Sequence, residues 1–282
     1  MAGANSEPVV ITVAPTGPLT TRADHPALPL TPHEIGEAVA ASYEAGAAVA
    51  HVHAHDEEGM PTADPAVYAA IVYEIHKRCD IVVQVSTGVG LSVGVEQRLR
   101  ILAGDVVDVP MATLNPASMT FGAGTFSNPP EFVVALAEQM RRRDIQPELE
   151  VYDLGHVRLC LDLVHDGLIR HPLHFSFVMG VRGGMPGDPG LLPTLRAMLP
   201  RDATWQAIGI GRTQLPLMLA ALALGGNLRV GFEDNVHWGR GVLAESKAQF
   251  VRRAAELVRA AGLELADADF VRRRLVSAAP GA

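Results

Sequence analysis

Two textures of hydrophobic and polar positions alternate along this chain. Short, almost wholly apolar runs rich in β-branched residues read as strands buried on both faces, and longer stretches with helix-start signals follow them. Val9 to Val13 is the first such run, and a loop rich in Pro, Thr and Gly leads from it to Pro29. Thr31 then stands at an N-cap, Pro32 at the first helical position and Glu34 three residues after the cap, with Gly46 placed to end the helix. The same rhythm predicts strands over 49–53, 81–85, 106–111, 149–152, 173–178, 204–208 and 228–230. Helices are expected over 32–45, 66–78, 95–103, 129–142, 156–165, 190–199, 214–224 and 243–261, and a short extra helix over 267–275.

Eight strands alternating with eight helices, with no linker or break in composition, indicate one (β/α)8 barrel (a TIM barrel) spanning 1–282 with short extensions at both ends. An open, doubly wound sheet is the alternative. At 282 residues, 48% of them hydrophobic, the chain can bury a full core. Its formal charge of −8 argues against a nucleic-acid surface, so an anionic substrate needs a local cluster of Arg or His. Cys79 and Cys160 form no motif, which fits a reducing cytoplasm. The first eight residues lack the pattern of a signal peptide, and no run of 18 apolar residues suggests a membrane span.

Chemistry-bearing residues collect at the C-terminal ends of the predicted strands, where barrels of this type place their active sites. His51 and His53 sit two apart on strand 2 and share a face. They are either ligands to a borderline-soft metal or a hydrogen-bonded pair with no ion. Strand 8 runs into Glu233-Asp234-Asn235, and alternation puts Arg229, Gly231 and Glu233 on one face with Asp234 at the rim. Strands 2 and 8 lie two apart in a closed barrel. His51, His53 and Glu233 could therefore form a two-histidine, one-carboxylate site, which we favour over Glu233 as a rim acid paired with Arg229. His55, on the following loop, suits a hydrogen-bonding or substrate-facing role better than a metal.

Strand 3 ends in Ser86-Thr87-Gly88, strand 4 supplies Thr113 and Asn115, and strand 5 supplies Glu150 and Asp153. Beside a metal, the hydroxyls and amides of 86–88 become holders of a substrate carboxylate; alone they are an ordinary turn. The glycine-rich 180–187 segment reads as a lid or a subunit contact. Arg212, after strand 7, is either an anion ligand or structural. His174 reads as packing.

The residues together resemble the beta-keto acid cleavage enzymes, whose founding activity splits 3-keto-5-aminohexanoate in lysine fermentation. The resemblance runs over nearly the whole chain. It rests on Pro26-Ala27-Leu28-Pro29, His51-Val52-His53, Gln84 to Gly88, Met111 to Leu114, Glu148 to Val151, His174 to Val181, Gly209 to Arg212 and Arg229 to Asn235. It implies a zinc-bearing barrel that condenses a β-keto acid with acetyl-CoA and releases acetoacetate and a new acyl-CoA. By the same resemblance His51, His53 and Glu233 hold the zinc. Ser86, Thr113 and the amides near Gly88 and Val89 hold the substrate carboxylate. Asp234 is the base, oriented by Arg229, which pairs with Glu150. A homotetramer is also implied.

One position departs from that pattern. The family member acting on the amino substrate carries an acid where Leu19 falls, and nothing obvious here would neutralise an ammonium group. A neutral or apolar substrate tail is therefore expected, with an anionic one open if His55 or Arg182 faces the pocket. A zinc-dependent hydrolase or aldolase on the same barrel is the competing expectation, and a metal that serves only structure is a third.

Overall fold

The computed structural model describes residues 7–276; the signal-peptide reading and the final Ala-Ala-Pro-Gly-Ala stretch fall mainly or wholly outside them. Eight parallel strands close on themselves in the order β1-β8-β7-β6-β5-β4-β3-β2, which rules out the open sheet. They are β1 Ile11–Val13, β2 Val49–Val52, β3 Val82–Val85, β4 Met111–Leu114, β5 Gln146–Val151, β6 His174–Met179, β7 Thr204–Gly209 and β8 Asn227–Val230. The helices are α1 Pro32–Glu44, α2 Pro65–His76, α3 Val95–Arg100, α4 Pro130–Arg142, α5 Leu154–His165, α6 Leu192–Met198, α7 Gln214–Ala223 and α8 Lys247–Ala260. A short α9, Ala268–Val271, follows. No helix among the described residues is long and apolar enough to cross a membrane.

The helix starts form for the reasons the residues suggest. Thr31 and Glu34 complete a capping box at α1, each side chain taking up a backbone N–H that the first turn leaves free. Asp64 caps α2 by accepting from the Ala66 amide. Asp153 turns out to do the same for α5, accepting from Gly155, so it is an exposed helix cap and not a group of the site.

Strand 4 corrects the sequence reading. Its expected span, 106–111, is mostly irregular, and the observed strand is Met111–Leu114. Val106, Val107 and Val109 have strand-like side chains, but Pro110 has no N–H to give a ladder. The stretch before it is instead held from outside, where Arg143 donates to the carbonyls of Leu102 and Val107. The loop after β4 holds a hairpin, Met119–Phe121 paired with Gly124–Phe126, which alternation did not reveal. A second hairpin, His237–Gly239 with Val242–Leu243, occupies the expected start of α8.

The interior has three levels. At the bottom, Val10, Val49, Val82 and Met111 pack with Val271 and Leu275 from the closing segment. The middle is polar: Glu148 is fully buried and accepts hydrogen bonds from Ser176 and from Gln206 Nε2, the latter at 2.7 Å. At the top, Tyr152, Val178 and Ile208 pack with Phe121, Val181 and Ile210. An apolar bottom and a partly apolar top leave the charged middle shielded from water. Electrostatic interactions are strong in such a place.

Candidate active site

β2 delivers His51 and His53 to the top of the polar level, both buried. Their Nε2 atoms lie 3.1 Å apart. His51 Nδ1 stands 2.8 Å from Gln84 Oε1, an oxygen that can only accept. That bond places the proton on Nδ1 and leaves the Nε2 lone pair facing inward.

Glu233 meets the two rings, with Oε2 3.3 Å from His51 Nε2 and Oε1 3.3 Å from His53 Nε2. It reaches them because β8 stops at Val230. Gly231, at φ +148°, comes so close to Ala14 that a Cβ would lie 2.0 Å from the Ala14 carbonyl oxygen. The chain then folds over in a turn in which the Asp234 and Asn235 amides donate to the Gly231 carbonyl. Gly17 leaves the room Glu233 needs, since a Cβ there would sit 2.4 Å from Glu233 Cγ.

The same turn revises the expectation for Asp234. Regular alternation would have left it at the rim; it is buried and chelates Arg229, accepting from Nε at 3.1 Å and from Nη2 at 3.0 Å. Arg229 also donates to Glu150 Oε1 at 3.1 Å and lies 2.8 Å from Glu233 Oε1. Glu233 thus has the Arg229 partner of the rim-acid reading while it also faces both histidines. Glu150 takes two further donors on its other oxygen, Asn115 Nδ2 at 2.8 Å and the Tyr152 hydroxyl at 3.3 Å.

The ionisation pattern follows from this packing. Burial opposes a charge on Glu233, yet Arg229, His51 and His53 hold its carboxyl well below the usual range. Against burial and the charge of Arg229, Glu233 holds His51 up, while burial keeps His53 down. Burial pushes Asp234 up, Arg229 opposes it, Glu233 adds to the rise, and the result is about 6.

A metal ion fits this donor set. One ligand atom each from His51, His53 and Glu233 lie within 4.8 Å of one another. Glu233 Oε2 is buried with no hydrogen-bond partner, and so is His53 Nδ1. Three formal carboxylates, Glu150, Glu233 and Asp234, surround a single guanidinium, a deficit of two charges that a dication would neutralise. Two imidazoles and a carboxylate with a free side are what zinc accepts in sites that also take substrate.

His53, Glu150, Tyr152, Arg229, Glu233 and Asp234 form one wall of a cavity of about 480 Å³, with His51 fully buried behind them. Ser86, Gly88 and Asn115 line it on another side, and Leu19, Phe121, Val181 and Arg182 lie farther out. Thr113 and Val89 are fully buried and do not line it. Thr113 Oγ1 instead accepts from the Thr87 amide at 2.9 Å and so supports the 86–88 turn from behind. His55 is buried outside the lining, and burial lowers its pKa to about 4. Arg212 is exposed. The Gly180–Gly187 segment forms part of the cavity wall, and its Arg182 carbonyl accepts from the hairpin amide of Gly122 at 2.9 Å.

The family model for beta-keto acid cleavage enzymes matches residues 8–276. The chain belongs to the beta-keto acid cleavage enzyme family. It is thus an enzyme of carbon–carbon cleavage in β-keto acids. It is 38% identical over 257 residues to a 3-oxoadipate:acetyl-CoA acetyltransferase of Cupriavidus necator, covering 89% of each chain. It is 32% identical over 271 residues to a 3-keto-5-aminohexanoate cleavage enzyme of Fusobacterium nucleatum, covering 95% of this chain and 98% of that one. Among solved structures the apo form of ObcA aligns with a TM-score of 0.76 at 24% identity, over 89% of this chain and 65% of that longer one. That likeness supports the barrel alone.

Two groups in contact with the site's key residues escaped the sequence reading. Tyr152 was seen only as the end of a strand, although it stands two residues after Glu150 on the same face. Arg98 lies within the helix expected over 95–103 and carries no expectation of its own. It nevertheless falls on the apolar side with Val95 and Leu102, a spacing that could have marked it.

Proposed function

We propose that this enzyme transfers an acyl group between a β-keto acid and acetyl-CoA, using a zinc ion held by His51, His53 and Glu233. The net exchange turns R–CO–CH2–COO⁻ and acetyl-CoA into R–CO–CoA and acetoacetate. The observation that carries this reading is the convergence of those three donors beside the Arg229–Asp234 pair, with His53, Glu233, Arg229 and Asp234 lining the cavity. Zinc bound there would draw electron density from the keto oxygen and acidify the carbon between ketone and carboxylate.

Asp234 takes the proton from that carbon. Burial raises its carboxyl above the usual carboxylate range, which strengthens it as a base, and the bonds to Arg229 fix both its oxygens. Arg229 holds both Asp234 oxygens, and Glu150, fixed in turn by Asn115 and Tyr152, anchors Arg229 from the far side. Ser86 Oγ and the Gly88 amide face the substrate carboxylate across the cavity. The carbon freed of its proton attacks the thioester carbonyl and expels the coenzyme A thiolate. The thiolate adds to the original ketone carbon, and breaking the original carbon–carbon bond leaves R–CO–CoA and an acetoacetate carbanion that takes the proton back from Asp234.

The outer lining by Leu91, Phe121, Phe126, Val178, Val181 and Ile210 favours a neutral, apolar tail on the acid. Arg182 is the one charged side chain that far out; it is exposed and forms no ion pair among the described residues. The test is metal analysis of the purified protein followed by a screen of 3-oxo acids with acetyl-CoA, reading acetoacetate. Zinc near one per chain and acetoacetate formed only with acetyl-CoA are the expected results. Consumption of the acid without acetyl-CoA would favour the hydrolase or aldolase instead.

A further inference from the structure

Arg98 is 1% exposed and has no carboxylate partner among the described residues. Its nitrogens are spent on neutral oxygens: Nε on the Thr87 carbonyl at 2.6 Å, Nη1 on the Ser127 carbonyl at 2.7 Å and Nη2 on Asn128 Oδ1 at 2.7 Å. Phe126 and Phe132 cover it at 4.8 and 4.5 Å from their ring centroids. Burial lowers its pKa to about 10, so it stays charged at neutral pH. A buried, charged, acid-free guanidinium disfavours folding unless something uses its charge.

The geometry shows what can use it. The Thr87–Gly88 peptide has its carbonyl on Arg98, and in a trans peptide the N–H points the opposite way. That N–H, from Gly88, lies on the cavity side and donates to Ser86 Oγ at 3.2 Å. The rest of the turn is fixed as well, by the Tyr68 hydroxyl on the Ser86 carbonyl at 3.1 Å and by Thr113 Oγ1 on the Thr87 amide. Arg98 thus orients one peptide dipole with its positive end toward the cavity and adds a full positive charge behind it.

We infer that Arg98 is a positioning residue that makes the Ser86–Gly88 turn a receptor for the substrate carboxylate, acting through the Thr87–Gly88 peptide without touching substrate. This rests on the proposed function in taking a β-keto acid as the ligand and in setting its carboxylate at Ser86 and Gly88. Selectivity for the charged carboxylate, as distinct from general shape, is what Arg98 contributes.

The test is calorimetric binding of acetoacetate and of its uncharged methyl ester to the metal-loaded enzyme, without acetyl-CoA. Arg98→Met should weaken acetoacetate by roughly tenfold, the scale of one buried charge acting over several ångströms, and leave the ester nearly unchanged. Arg98→Lys should restore part of the loss. Should the Met variant fail to fold, Asn128→Asp replaces the amide on Nη2 with a carboxylate, and by neutralising the guanidinium it should weaken acetoacetate several-fold with little effect on the ester. Equal weakening of acid and ester, or unchanged acetoacetate affinity in folded variants, would overturn the inference. Acid-selective binding in an enzyme that transfers no acyl group would count against the proposed reaction and leave Arg98 in its role.

Discussion

Two buried arginines flank one cavity under opposite conditions, Arg229 in its wall and Arg98 behind the Ser86–Gly88 turn. Arg229 is ringed by acids, with Glu150, Glu233 and Asp234 at 3.1, 2.8 and 3.0 Å. Arg98 has none and donates only to carbonyl and amide oxygens. On the first wall formal negative charge is left over, and a cation is the missing partner. On the second, positive charge is left over and an anion is missing. A molecule with a carboxylate at one end and a ketone oxygen two carbons away has complementary groups for both. The difference teaches that a buried guanidinium has no fixed meaning; the balance of charge around it decides what the site recruits.

The strongest way to break the comparison is to take the cation from the first wall. Glu233→Ala should cut bound zinc well below one per chain and lower turnover on the order of a thousandfold, since an electrophilic ion contributes several kcal/mol to such a step. Chelation of the wild-type protein followed by zinc addition should remove and restore the activity. A variant that keeps full turnover without metal would sink the reading of that wall.

Asp234→Asn leaves the proposed metal ligands in place and retains an oxygen for Arg229, so zinc should stay bound while kcat falls by about a hundred- to ten-thousandfold. Metal content and kcat measured on the same preparation separate this from the first variant. Unchanged activity would remove Asp234 from its role. A smaller effect is expected at Tyr152, which stays a neutral phenol because burial and Glu150 raise its pKa well above the usual value. Tyr152→Phe deletes one of two donors on Glu150 Oε2 and keeps the ring packed against Phe121. A decrease in kcat of up to about tenfold, with little change in melting temperature, is the outcome that a single lost hydrogen bond predicts.

How far the sequence foretold this arrangement depended on how local each signal was. The barrel was legible because a period of strand and helix repeats eight times, and no single misjudged boundary disturbs it. The strand expected over 106–111 fails because its three valines outweigh Pro110, which cannot join a ladder on its N–H side. His51 and His53 were legible because a regular strand fixes their common face. Strand alternation alone put Asp234 at the rim, and only the family resemblance paired it with Arg229, because its position depends on the turn at Gly231, where the chain packs closely against Ala14. Arg98 was least legible, since its meaning lies in the absence of an acid, which spacing cannot show.

A third buried base, away from both walls, separates the effect of burial from that of charge partners. His174 opens β6 in the interior, with Nδ1 2.9 Å from Thr204 Oγ1, whose own hydroxyl donates to the Leu173 carbonyl. The imidazole is therefore the donor in that contact and needs no charge. Burial, with a contribution from Arg274, lowers its pKa to about 4. As pH falls, the unfolded chain takes up the proton first, near the ordinary histidine value of about 6.5. The folded form follows only near 4. Stability is thus intact above about 6.5 and is lost progressively down to about 4, by roughly 3 kcal/mol in all. Urea midpoints at pH 7 and pH 4.5 should fall further apart for the wild type than for His174→Asn, which has no group to protonate there. Other buried groups titrate in both proteins, so the difference between the two profiles is the quantity to read. Identical profiles would mean that water reaches this histidine, and that burial does not set the charge of bases inside this barrel.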